Sequence, residues 1–73
     1  MYPLAFTKEG EEVIVKKIDA GAGATQRLTS MGINVGSKLK VVRNQNGPVI
    51  VSVRGSNIAI GRGLAMKIMC EKC

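Results

Sequence analysis

The stretch that decides the fold is "QRLTSMGINVGSKLKVV", residues 26–42. Leu28 and Met31 stand at i and i+3, so Gln26 to Met31 reads as a short helix showing one face to the core, with Thr25 as its N-cap. Gly32 falls where a helix end wants a left-handed residue, and Ile33 folds back apolar behind it. "NVGS" reads as a turn that needs positive φ at Gly36. "KLKVV" then alternates as a strand, with Leu39 and Val41 inward and Lys38 and Lys40 outward.

The same alternation extends to both sides. In "EEVIVKKI" Val13 and Val15 share a face and Ile18 prolongs the apolar signal, which marks the first strand. Residues 19–24, "DAGAGA", are small and costly to order, and read as a mobile loop. "NQNGP" is a turn, and "PVIVSV" places Val49, Val51 and Val53 on one face. A Gly55-Ser56 corner leads into a strand over Asn57 to Ile60 with Ile58 and Ile60 inward. "GRGLAMK" is long enough for one helical turn, after which Ile68 and Cys70 sit on the inner face of a last strand. Five short strands in so short a chain remove their edges best by curling into a small closed or nearly closed barrel. The expected fold is therefore mainly β, an SH3-like five-stranded barrel with a short helical insertion.

Length allows one core and one domain, residues 1–73, with a loose tail after Cys70. Hydrophobic residues make up 45% of the chain, almost all aliphatic, with Tyr2 and Phe6 the only aromatics and both expected outside the barrel core. No apolar run approaches the ~20 residues of a membrane span, and "MYPLAFTKEG" lacks the basic leader and apolar stretch of a signal peptide, so a cytoplasmic protein is expected. Two cysteines three residues apart cannot staple a fold, which suits a reducing compartment.

The net charge of +6 is unevenly spread. Glu9, Glu11, Glu12 and Asp19 lie early, whereas residues 20–70 carry Arg27, Lys38, Lys40, Arg43, Arg54, Arg62 and Lys67 with no acid. Such a cation favours an anionic partner, whether nucleic acid, lipid headgroup or acidic protein surface. Basic barrels that bind nucleic acid stack bases on aromatic platforms, and the scarcity of aromatics makes nucleic-acid binding the alternative rather than the first reading.

Catalysis is not expected: histidine is absent, the acids cluster, and no serine or cysteine has a base beside it. "GAGAT" and "GRG" lack the lysine and the strand-to-helix setting of a phosphate loop, so no cofactor is expected. Cys70 and Cys73 form a CxxC, half of a structural zinc site, and are weak candidates for a metal such as a transition metal ion. Their simpler reading is a buried thiol followed by an incidental one.

These residues resemble the FeoA family of ferrous iron transport accessory proteins. The likeness is carried by the helix corner of "QRLTSMGINVGSKLKVV", the hairpin of "GPVIVSVRGSNIAIGRGLAMKI", and the opening "PLAFTKEGEEVIVKKI" with Gly10 before the first strand, and it spans residues 3–70. Val35 stands where a proline commonly precedes the turn glycine, and the terminal CxxC is not a family hallmark. The resemblance implies an SH3-like barrel with a helical insertion, of a kind that also ends iron-dependent repressors. It implies a role in iron homeostasis through docking on the cytosolic G-protein domain of the FeoB transporter, with contact to the membrane only through that transporter. By the same resemblance the partner-facing set is Arg27, Leu28, Met31 and Gly32 at the helix corner, with Arg54 and Arg62 on a basic rim. Val13, Val15, Leu39, Val41, Val49, Val51, Ile58 and Ile68 then only hold the barrel, and short edge strands leave room for self-association.

Overall fold

A computed structural model describes all 73 residues. Along the chain run β1 (Tyr2–Pro3), a 3₁₀ turn (Leu4–Phe6), β2 (Glu12–Ile18), α1 (Ala22–Ser30), β3 (Lys38–Arg43), β4 (Val49–Val53), β5 (Ser56–Ile60), α2 (Arg62–Ala65) and β6 (Ile68–Lys72). All strand pairings are antiparallel, in the order β1-β6-β2-β3-β4-β5, which wraps an SH3-like barrel around an aliphatic core. The sheet is not closed by hydrogen bonds, because β1 and β5 are edges. None of its helices is long and apolar enough to cross a membrane.

The glycine corners behave as their sequence requires. Gly32 and Gly36 have φ of 89° and 95°, a region that costs other L-residues about 1–2 kcal/mol. At the end of α1, Ile33 N–H donates to Leu28 O (2.9 Å) and Gly32 N–H donates to Thr29 O (3.0 Å), the two bonds of a Schellman cap. Leu28 and Ile33, the hydrophobic pair of that cap, are both fully buried. One leucine therefore fastens a helix that is too short to persist alone.

Six strands form rather than five. Tyr2 and Pro3 pair with Cys70 and Met69, a two-residue ladder too short to display a period, and Pro3 is tolerated because β1 is an edge that can dispense with a donor. Leu4 and Ala5 follow into the core, with Thr7 Oγ1 donating to Leu4 O at 2.7 Å. Tyr2 packs partly against the core rather than lying outside it, whereas Phe6 is 66% exposed. Nor is the C-terminus loose: β6 continues to Lys72, and Cys73 N–H donates to Glu12 O at 3.0 Å.

Helix α1 begins at Ala22, with Gly21 as N-cap, so residues 22–24 are helical and not loop. Ala22 and Ala24 are strong helix formers and offset the ~1 kcal/mol that Gly23 costs inside a helix. Thr25 is consequently inside the first turns, its hydroxyl donating to Ala20 O at 3.2 Å, and it caps nothing. The shift to Ile18 also has a local cause: the β2–β6 register slips between Val15 and Lys17, and this bulge brings Ile18 rather than Lys17 opposite Ile68.

The β4–β5 hairpin turns one residue earlier than its glycine suggests. Val53 pairs with Ser56, leaving Arg54 and Gly55 as the loop, with φ of 50° and 82°. Positive φ at both central positions is the type I′ geometry that matches strand twist. Arg54 thus occupies a conformation that suits glycine or asparagine better.

Candidate docking surface

The helix corner and the end of the barrel together make an open groove. The last turn of α1 supplies Arg27 and Ser30 and its C-cap is Met31, the end of β5 supplies Ala59 and Ile60, and Gly61 and Leu64 complete a space of about 520 Å³. Arg27 and Leu64 also line an adjoining recess of about 230 Å³ that runs past Ala20, Gly21 and Ala24 to Gly63 and Lys67. No acid lines either space, and Arg27 and Lys67 take part in no ion pair. The groove thus sets an apolar floor under unpaired cations.

The residues singled out in sequence fall into three groups. Arg27 and Met31 are exposed on the groove, Met31 at 41%, because the helix ends at Ser30 and leaves Met31 outside as C-cap; it does not face the core beside Leu28. Leu28 is fully buried, so it fastens the corner and cannot itself touch a partner. Gly32 is half-buried as the cap, and a β-carbon there would have ordinary room, 3.6 Å from Val53 Cγ1, but the wrong φ.

Arg54 projects at the hairpin tip, away from the groove lining. Arg62 is occupied internally. Its guanidinium donates to Asn44 Oδ1 (3.0 Å from Nη1), with a second bond from Nη2 to the same oxygen and a third to Gln45 O. Asn44 in turn donates from Nδ2 to Ala5 O (3.1 Å) and Thr7 O, and its backbone N–H donates to Glu9 Oε2 (3.0 Å). Arg62 therefore belongs to a clasp joining α2, the β3–β4 turn and the N-terminal segment, not to a free basic rim. Asn44 looked like a turn residue only, and Ala59 and Leu64 carried no signal at all, since their role comes from apposition to α1.

The two thiols of the CxxC lie in different surroundings. Cys70 is fully buried in the core, and burial pushes its thiol up to about 11, which disfavours the thiolate that a metal requires. Cys73 is exposed, and a residue three positions on along an extended chain points to the opposite face. No group of three or more cysteine, aspartate, glutamate or histidine side chains converges anywhere in the fold.

Residues 2–72 match the model of the FeoA domain. The chain belongs to the FeoA family. A relative from Methanocaldococcus jannaschii, named as an Fe(2+) transport protein A, is 86% identical over 71 residues, covering 97% of this chain and 87% of its own. The crystal structure of an iron uptake regulatory protein (FeoA) shares 40% identity and a TM-score of 0.88, over 99% of this chain and 96% of that one. A FeoA protein from Chlorobium tepidum, solved in solution, shares 28% identity with a TM-score of 0.88 over 96% of this chain and 69% of that one. The FeoA fold also recurs in a manganese-dependent transcriptional repressor, at 23% identity and a TM-score of 0.91, where it covers 99% of this chain and 41% of that one; this shows the fold alone.

Proposed function

We propose that this protein is a cytoplasmic accessory of ferrous iron uptake that docks, through the groove between α1, β5 and α2, on the cytosolic part of an FeoB-type transporter. The observation that carries the reading is membership of the FeoA family over residues 2–72, with an 86% identical relative named for Fe(2+) transport. The surface chemistry agrees with it. No histidine is present and no cluster of three donors converges, so a role through contact is the economical one. Arg27 and Met31 supply a cation and a flexible apolar side chain on the groove rim, the pairing that protein interfaces favour.

The test is capture of the transporter's purified cytosolic portion by this chain, in different nucleotide states of its G-protein domain. Arg27→Glu combined with Met31→Asp changes only exposed positions and should abolish capture while leaving the melting temperature in place. Undiminished capture by that double variant removes the groove as the contact. The nucleic-acid alternative is separated by titrating single- and double-stranded oligonucleotides: phosphate-driven binding must be present at low salt and fall steeply as salt rises.

A further inference from the structure

Strand β5 is an edge, and its backbone is unguarded. Val53 and Ser56 flank a two-residue loop and so form a hydrogen-bonded pair; alternation makes Val51 with Ile58 and Val49 with Ile60 the next such pairs. Asn57 and Ala59 therefore direct their N–H and C=O groups away from β4, and no other backbone group meets them. Natural edge strands are normally blunted by charge, proline or a bulge. Ser56–Ile60 has none of the three, whereas the opposite edge carries Pro3 and the two bulges lie in the β2–β6 and β3–β4 ladders.

The open edge runs into the groove, because Ala59 lines it opposite Arg27 and Met31. Cations stand at both ends of the strand, Arg54 at the hairpin and Arg27 beside Ala59, neither of them ion-paired. We propose that β5 receives an extended acidic segment of another protein as a seventh strand. Asn57 and Ala59 would supply the backbone hydrogen bonds, Arg54 and Arg27 would meet the segment's carboxylates, and an apolar side chain would settle between Met31 and Leu64. About five residues suffice, since an extended chain advances roughly 3.3 Å per residue. A second copy of this chain suits the edge poorly, because pairing β5 with itself brings the cations of two molecules of charge +6 together.

The proposal deepens the docking function and rests on it for the partner's identity, although not for the edge itself. The probe is acetyl-Glu-Val-Thr-Val-Glu-amide, titrated into the whole chain at low salt while amide spectra and hydrogen exchange are followed. Expected are slowed exchange at Asn57 and Ala59, shifts at Arg27 and Leu64, and binding weakened about tenfold for the lysine-ended peptide or one N-methylated at alternate amides. Ala59→Pro deletes an outward N–H that the fold does not use, so it should melt near the parent and lose the peptide. Should Ala59→Pro unfold early, the N-methylated peptide still decides.

Equal binding of the N-methylated peptide, equal binding of the lysine peptide, no shifts at all, or protection of Asn57 and Ala59 through self-association alone would each overturn the proposal. If Ala59→Pro captures the transporter's cytosolic portion as well as the parent does, strand addition is wrong and docking stands. If the acidic peptide binds along β5 but the transporter is never captured, the edge proposal stands and the functional reading fails.

Discussion

Replacing Arg54 with glycine should make this protein more stable. Arg54 holds φ at 50° in the hairpin loop, is exposed, and takes part in neither of the two ion pairs, so nothing visible offsets its backbone strain. A left-handed L-residue costs about 1–2 kcal/mol, and glycine escapes that cost while adding about 0.5–1 kcal/mol of freedom to the unfolded chain. The net gain for Arg54→Gly is ~0.5–1 kcal/mol, which for a domain of this size raises the melting temperature by about 3–6 °C. Calorimetry or guanidinium titration reads it, with an unchanged m-value as the sign that stability has shifted without a change in the surface exposed on unfolding. Arg54→Ala is the control: it relieves the same repulsion within a chain of net charge +6 but keeps a β-carbon at positive φ. If alanine stabilises as much as glycine, charge and not φ is responsible. If glycine lowers the melting temperature, the arginine side chain makes a stabilising contact and the strain argument is wrong. A gain in stability accompanied by weaker partner capture would explain why an arginine occupies a glycine position.

Leu28→Ala empties a fully buried site in the only core contact of α1 and should cost about 2–5 kcal/mol, seen as an early denaturation midpoint together with faster exchange across residues 22–33. Asn44→Ala removes the hub of the clasp, orphaning Ala5 O and Thr7 O and leaving the Arg62 guanidinium with Gln45 O alone, for a loss of about 1–3 kcal/mol; a double-mutant cycle with Arg62→Ala should show strong coupling, and additive losses would mean that the two residues act independently. Native protein should react at once with a thiol reagent at Cys73 only, and at Cys70 only after unfolding. The Cys70 thiol, raised by burial from 9.0 to about 11, keeps its proton in the native state longer than in the unfolded one. Its contribution is therefore complete below pH ~9 and is lost as pH rises from there through 11, by up to about 2–3 kcal/mol, a decline that Cys70→Ala should flatten.

What the chain of residues determined alone is local in range. Positive φ at Gly32 and Gly36, the inward set Val13, Val15, Leu39, Val41, Val49 and Val51, and the single turn after Ile60 all follow from chemistry within six residues, where sterics and a two-residue period leave little choice. The tertiary structure alone decided which of those pieces meet. Tyr2 and Pro3 became a strand because β6 offered them an edge, Arg62 left the rim because Asn44 lies within its reach, and Leu28 moved from candidate contact to buried anchor because the cap turned Ile33 back onto it. The groove is the extreme case, since Arg27 and Ala59 come from distant parts of the chain and nothing in either local sequence encodes their apposition. Periodicity reports which face of an element is apolar; only the packed core sets which elements stand side by side, because that choice is made by the sum of many weak contacts between residues far apart in sequence.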